Sequence, residues 1–193
     1  MGINISGKSY FILAVVLLLL GGVALMGFGF LPVLKVGGRA ASYAEFLKVL
    51  GALKTFEERV APRSGAGEAP ATPTQEFKRL ALAELADNLF LDEMISKTDP
   101  GIFKKTEEMA AWVLNDRKNS SLGGASEELY GLELEDFKKF VLLPQAKRDA
   151  LTEYYKGDAE KLSEIWLALK KSVEVKIYYP GYFWDGEDVR IKN

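Results

Sequence analysis

The sequence predicts a mainly α-helical domain standing behind an N-terminal transmembrane helix, and three observations carry that prediction. A run of 26 residues between Lys8 and Lys35 holds no charged side chain. Most of the chain behind it repeats apolar residues at helical spacing. Only two short segments, at opposite ends of that remainder, read as strands.

Composition narrows the function classes first. The chain has 193 residues, 48% of them hydrophobic, with 27 acidic and 25 basic side chains and neither Cys nor His. That apolar fraction supports a real core. Without Cys there is no thiolate nucleophile, disulfide or Cys-bound metal. Without His there is no Ser-His-Asp triad and no imidazole base. Residues 36–193 carry a net charge of about −4 (23 bases against 27 acids), which is no footprint for nucleic acid. No cofactor and no metal are expected.

The charge-free run includes the ten residues Phe11 to Leu20, and Pro32 ends its helical reading. Residues 1–9 read as a short tail and 10–32 as the membrane helix. Tyr10 to Leu31 is 22 residues, or roughly 33 Å at about 1.5 Å per residue, against a hydrocarbon core of ~30 Å. The run exceeds a signal-peptide core, and Lys35 and Arg39 follow it directly. Flanking positive charge is nearly tied between the two sides. The shortness of the tail favours an N-terminus inside and the bulk outside, as in a single-pass inner-membrane protein.

The remainder reads as one domain over 33–180 with a tail over 181–193. Val33 to Val36 before Gly37-Gly38 predicts a strand and turn. Ser42 with Glu45 forms a capping box, and Tyr43, Phe46, Leu47, Leu50, Leu53, Phe56 and Val60 mark the helix behind it. The Pro/Gly/Ala-rich stretch 62–74 predicts a mobile loop. Thr72, Pro73 and Gln75 start a second helix running to about Lys97 and apolar on several faces, hence either sandwiched in the domain or open to a partner. Further helices follow Asp99-Pro100-Gly101, cover 125–131 and 133–156 with a kink or break at Pro144, and start from a cap at Asp158. The alternation Val173, Val175, Ile177, Tyr179 predicts a strand that pairs with the first one and closes the domain.

Chemistry is scarce. The paired acids, such as Glu57/Glu58 and Glu107/Glu108, sit on predicted helix faces beside Lys or Arg and read as solvated surface. The aromatic and methionine positions Phe90, Met94, Phe103, Met109, Trp112 and Tyr130 are candidates for an apolar, client-binding groove, since such side chains adapt to many partners; core packing is the alternative. Tyr178, Tyr179, Tyr182, Phe183 and Trp184 suit either a bilayer interface or packing beneath the last strand.

The order of these elements resembles the SurA/PrsA-type N-terminal chaperone domain of exported bacterial folding factors. The segments that carry the resemblance are Val36-Gly-Gly-Arg-Ala-Ala-Ser-Tyr-Ala-Glu-Phe46, Ser126-Glu-Glu-Leu129, Gly131-Leu-Glu-Leu-Glu-Asp-Phe-Lys-Lys-Phe140, Pro144 to Leu151 and Val173-Glu-Val-Lys-Ile177. The resemblance implies paired terminal strands around a helical module that holds unfolded segments of exported polypeptides. It usually implies a parvulin-type prolyl isomerase as well. Here no room is expected for one, and the His and Cys of such sites are absent. The expected function is a membrane-anchored, extracytoplasmic holdase without catalysis, with a separate isomerase or membrane protein as a possible partner. Its alternatives are a single-span subunit dedicated to one partner and a remnant isomerase.

Overall fold

The computed structural model describes residues 29–60, 73–116 and 121–192. The N-terminal tail, most of the expected membrane helix (10–32) and most of the expected loop (62–74) lie outside the described residues. Among the described residues no helix is long and apolar enough to cross a membrane.

The C-terminal end of the expected membrane helix is corrected. Gly29 has φ +69°, and a Cβ there would stand 2.8 Å from the Ala44 Cβ. Its carbonyl accepts from Ala44 N–H at 3.0 Å. Pro32 already belongs to strand β1 (Pro32–Val36). Gly29 to Pro32 are therefore not helical, and the rest of the expected span, Tyr10 to Phe28, lies outside the described residues.

β1 lies in the middle of a three-stranded antiparallel sheet, between β2 (Arg39–Ser42) and β3 (Val175–Ile177). The expected closure is present, with Leu34 opposite Ile177, Lys35 opposite Lys176 and Val36 opposite Val175. β2 is an addition to that expectation. Gly37-Gly38 turns the chain straight back, so Val36 pairs with Arg39 and Lys35 with Ala40. Leu34 and Val36 are fully buried, whereas Lys35, Lys176 and Tyr178 face outward.

Helix α1 (Tyr43–Val60) starts at the capping box. Ser42 N–H donates to Glu45 Oε2 at 2.6 Å, and Glu45 N–H donates to Ser42 Oγ at 3.2 Å. Burial pushes the Glu45 carboxyl up, but the hydrogen bond from Lys139, those from Ser42 and the Lys139 charge together hold it below the usual range. The stabilisation from this lowered carboxyl is complete above the unfolded-state value and is lost as pH falls through the folded one.

Helix α2 (Thr74–Thr98) is the axis of the domain. Its apolar residues point several ways because it is enclosed: Phe77, Leu82, Leu85, Phe90, Leu91, Met94 and Ile95 are all buried. α3 (Gly101–Asn115) and α4 (Leu122–Tyr130) follow. α4 begins earlier than expected, with Gly123 and Gly124 inside its first turn. The expected break at Pro144 is a change of helical type. α5 (Leu134–Phe137) runs into a π-helical turn over Lys138–Leu142, then into α6 (Leu143–Tyr154). The wider turn lets Leu143 N–H reach the Lys138 carbonyl and takes up the register change a proline imposes.

The tail expected over 181–193 is a β-hairpin instead, β4 (Tyr182–Trp184) with β5 (Val189–Ile191). Tyr182 and Val189 are buried, and the Tyr182 hydroxyl donates to the Gln75 carbonyl at 2.9 Å. Asp185 shapes the turn: Oδ1 accepts from the backbones of Glu187 and Asp188, and Oδ2 from Arg190 Nε at 2.6 Å. The Arg190 hydrogen bond, then these backbone bonds, hold its carboxyl at about 2.

Candidate functional site

α6 and α7 (Ala159–Ser172) are joined by a tight turn. Lys156 and Gly157 take φ +55° and +76° in succession, a reversal that favours glycine at the second position. Asp158 Oδ1 then accepts from Lys161 N–H at 3.0 Å and caps α7. With α2 beneath them, the two helices leave an open groove of about 410 Å³, within the size range of small-ligand and side-chain sites.

The floor of the groove is Leu91, Met94 and Leu151, each at most 4% exposed. Leu162 and Trp166 form one wall, and Arg148 and Thr152 stand on the opposite side. Trp166 is fixed from behind. Its ring meets Phe90 edge-on with centroids 5.9 Å apart, and Lys170 Nζ lies 5.2 Å from its centroid. Lys170, only 12% exposed at its side chain, also reaches Asp87 Oδ1 at 2.8 Å. The charged groups at the rim are paired as well, with Arg148 3.6 Å from Glu84. An apolar floor and neutralised rim suit apolar groups better than a charged ligand.

The six sequence candidates do not form one groove, and their placement is a correction. Phe90 is fully buried beneath Trp166 and Trp184, so it is core. Met94 alone reaches the groove, as part of its floor. Phe103 is half-buried on α3 under the Arg39 guanidinium, 5.5 Å from its ring centroid. Met109 is half-buried on the same helix, and Trp112 stands 68% exposed near its end. Tyr130 packs between Phe56 and Phe137 in a separate small cluster with Ala52 and Leu132. Helical spacing identifies apolar faces but not which neighbour covers them, so residues from three places shared one pattern. The groove wall carries its own signal in the sequence, the helical spacing of Leu162, Ile165, Trp166 and Leu169 on α7.

A second depression, of about 330 Å³, lies between β2, α2 and the π-helical turn. Its charges pair within it: Lys139 Nζ is 2.6 Å from Glu45 Oε1 and Lys147 Nζ 2.6 Å from Asp92 Oδ1. Among the described residues no group of acidic side chains is placed to hold a metal ion.

No protein-family model matches the chain, and neither a curated protein nor a solved structure matches it.

Proposed function

We propose that this chain is a membrane-anchored holdase module, held by its N-terminal apolar run and capturing apolar stretches of unfolded exported polypeptides. The single observation that carries the reading is the groove between α2, α6 and α7, apolar at its floor and open to solvent. The order of segments like that of the SurA/PrsA-type chaperone domain supports the same reading. So does the meeting of the first and last strands of the helical module, β1 and β3, in one sheet.

Capture would need neither nucleotide nor catalysis. Each client side chain seated on Leu91, Met94 and Leu151 gains burial at roughly 25 cal/mol per Å² of apolar surface. Ordering the client chain opposes that gain, so affinity is modest and release is spontaneous. Anchoring offsets the weak affinity by raising the local concentration of module where exported chains emerge.

The absence of Cys makes the site directly testable. A benzophenone on Thr152→Cys, at the groove rim, is expected to crosslink to an unfolded reporter polypeptide, and one on Trp112→Cys is not. Adducts from position 112 with none from 152 would move the client site to α3 and reject the groove.

A further inference from the structure

At the end of the domain where the apolar run enters, a cavity of about 440 Å³ is lined by Leu31, Pro32, Val33, Tyr43 and Tyr178 to Pro180. Several side chains around it are exposed together: Leu31 41%, Tyr43 37% and Tyr178 53%. They are nevertheless rigidly mounted. Tyr43 N–H donates to the Leu31 carbonyl and Tyr178 N–H to the Val33 carbonyl, both at 2.8 Å. Tyr179 packs beneath, its ring 4.8 Å from Phe46 and stacked on Tyr43.

The outward face of the sheet continues this end with cations. Lys35 and Lys176 stand directly opposite each other on β1 and β3, with Tyr178 two residues further along the same face. Like charges opposed across a strand pair are destabilising on a bare sheet. Lys176 has Glu174 at 2.9 Å to offset this, while no ion pair holds Lys35 among the described residues. Tyrosine rings and snorkelling lysines are the side chains that suit the boundary between hydrocarbon and headgroups.

Chain length decides what covers this surface. Only three residues lie between Phe28 and Pro32, so the reach across these four Cα-to-Cα steps is at most about 14 Å. If the apolar run spans a bilayer, this end of the domain cannot stand clear of the headgroups. We infer that Leu31, Tyr43 and Tyr178, flanked by Lys35 and Lys176, seat in the headgroup layer of an anionic bilayer, so that the domain is held down on the membrane and not merely tethered to it. The inference rests on the anchor in the proposed function, but not on the client groove, which shares no residue with this end.

The test uses the full chain in vesicles of phosphatidylcholine and phosphatidylglycerol, with a fluorophore on Tyr178→Cys or, for reference, on Trp112→Cys. The label at 178 is expected to be quenched by nitroxide-headgroup lipid and shielded from aqueous iodide, and the label at 112 to behave oppositely. Changing Lys35 and Lys176 together to Gln should reduce the shielding, more so as phosphatidylglycerol is added. Iodide access at 178 equal to that at 112 would overturn the seat. Shielding from iodide without lipid quenching would also overturn it, and would mean that another copy or a peptide covers the surface. A chain that does not float with the vesicles would overturn the anchor and the seat together.

Discussion

Replacing Phe90 by Ala is expected to cost about 3–5 kcal/mol, the range for removing a buried aromatic side chain. Phe90 has no exposed surface, and it holds three elements together: its own helix α2, Trp166 of α7 and Trp184 of β4, the latter with ring centroids 5.4 Å away. Lys170 Nζ lies 5.9 Å from the same ring and depends on that packing for its own position over Trp166. The loss would consume a large part of the ~5–15 kcal/mol that a domain possesses. Urea unfolding should therefore show a much lower midpoint, and β4–β5 should loosen with it. A change below about 1 kcal/mol would mean that the three rings do not form a core.

Filling the groove has the opposite profile. Ser163 is exposed on the groove side of α7, so Ser163→Trp adds an indole there at a cost of only a few tenths of a kcal/mol in helix propensity. The indole would compete with the client for Leu91, Met94 and Leu151. Client affinity is expected to fall at least tenfold, about 1.4 kcal/mol, while the unfolding midpoint barely moves. Fluorescence anisotropy of a labelled unfolded polypeptide would read the first effect and urea titration the second. Undiminished affinity would place the client elsewhere. The two substitutions separate core from site: one should destroy stability, and the other binding alone.

Much of the architecture was legible because single residues carry it. Ser42 and Glu45 announce the start of α1 and make both reciprocal bonds of the box, and Asp158 caps α7 as its position implies. The alternation from Val173 to Tyr179 found its partner strand. The misreadings have equally local causes. β2 consists of Arg-Ala-Ala-Ser, which has no apolar alternation; it becomes a strand because the turn at Gly37-Gly38 lays it against β1. The C-terminal hairpin did have a signal, Asp185-Gly186 between Tyr182/Trp184 and Val189/Ile191, in the pattern that marks a hairpin.

The groove was not legible, for a different reason. Leu91, Leu151 and Trp166 have the same spacing whether a neighbouring helix covers them or stands aside. The divergence of α6 and α7 arises in the two left-handed residues at Lys156 and Gly157, and no apolar period reports it. Among the six candidates, Met94 reaches the groove, Phe90 does not, and their sequence pattern is the same.

The proposed holdase function requires that this domain hold unfolded chains through that groove. Its most direct test is light scattering from an unrelated, chemically unfolded protein diluted into buffer with increasing amounts of the chain from Gly29 to Asn193. Starting at Gly29 matters, because β1 is the middle strand of the sheet and the Gly29 carbonyl anchors α1. Dose-dependent suppression of scattering near stoichiometric amounts is expected, abolished by Ser163→Trp. A folded domain that leaves the scattering unchanged would contradict it.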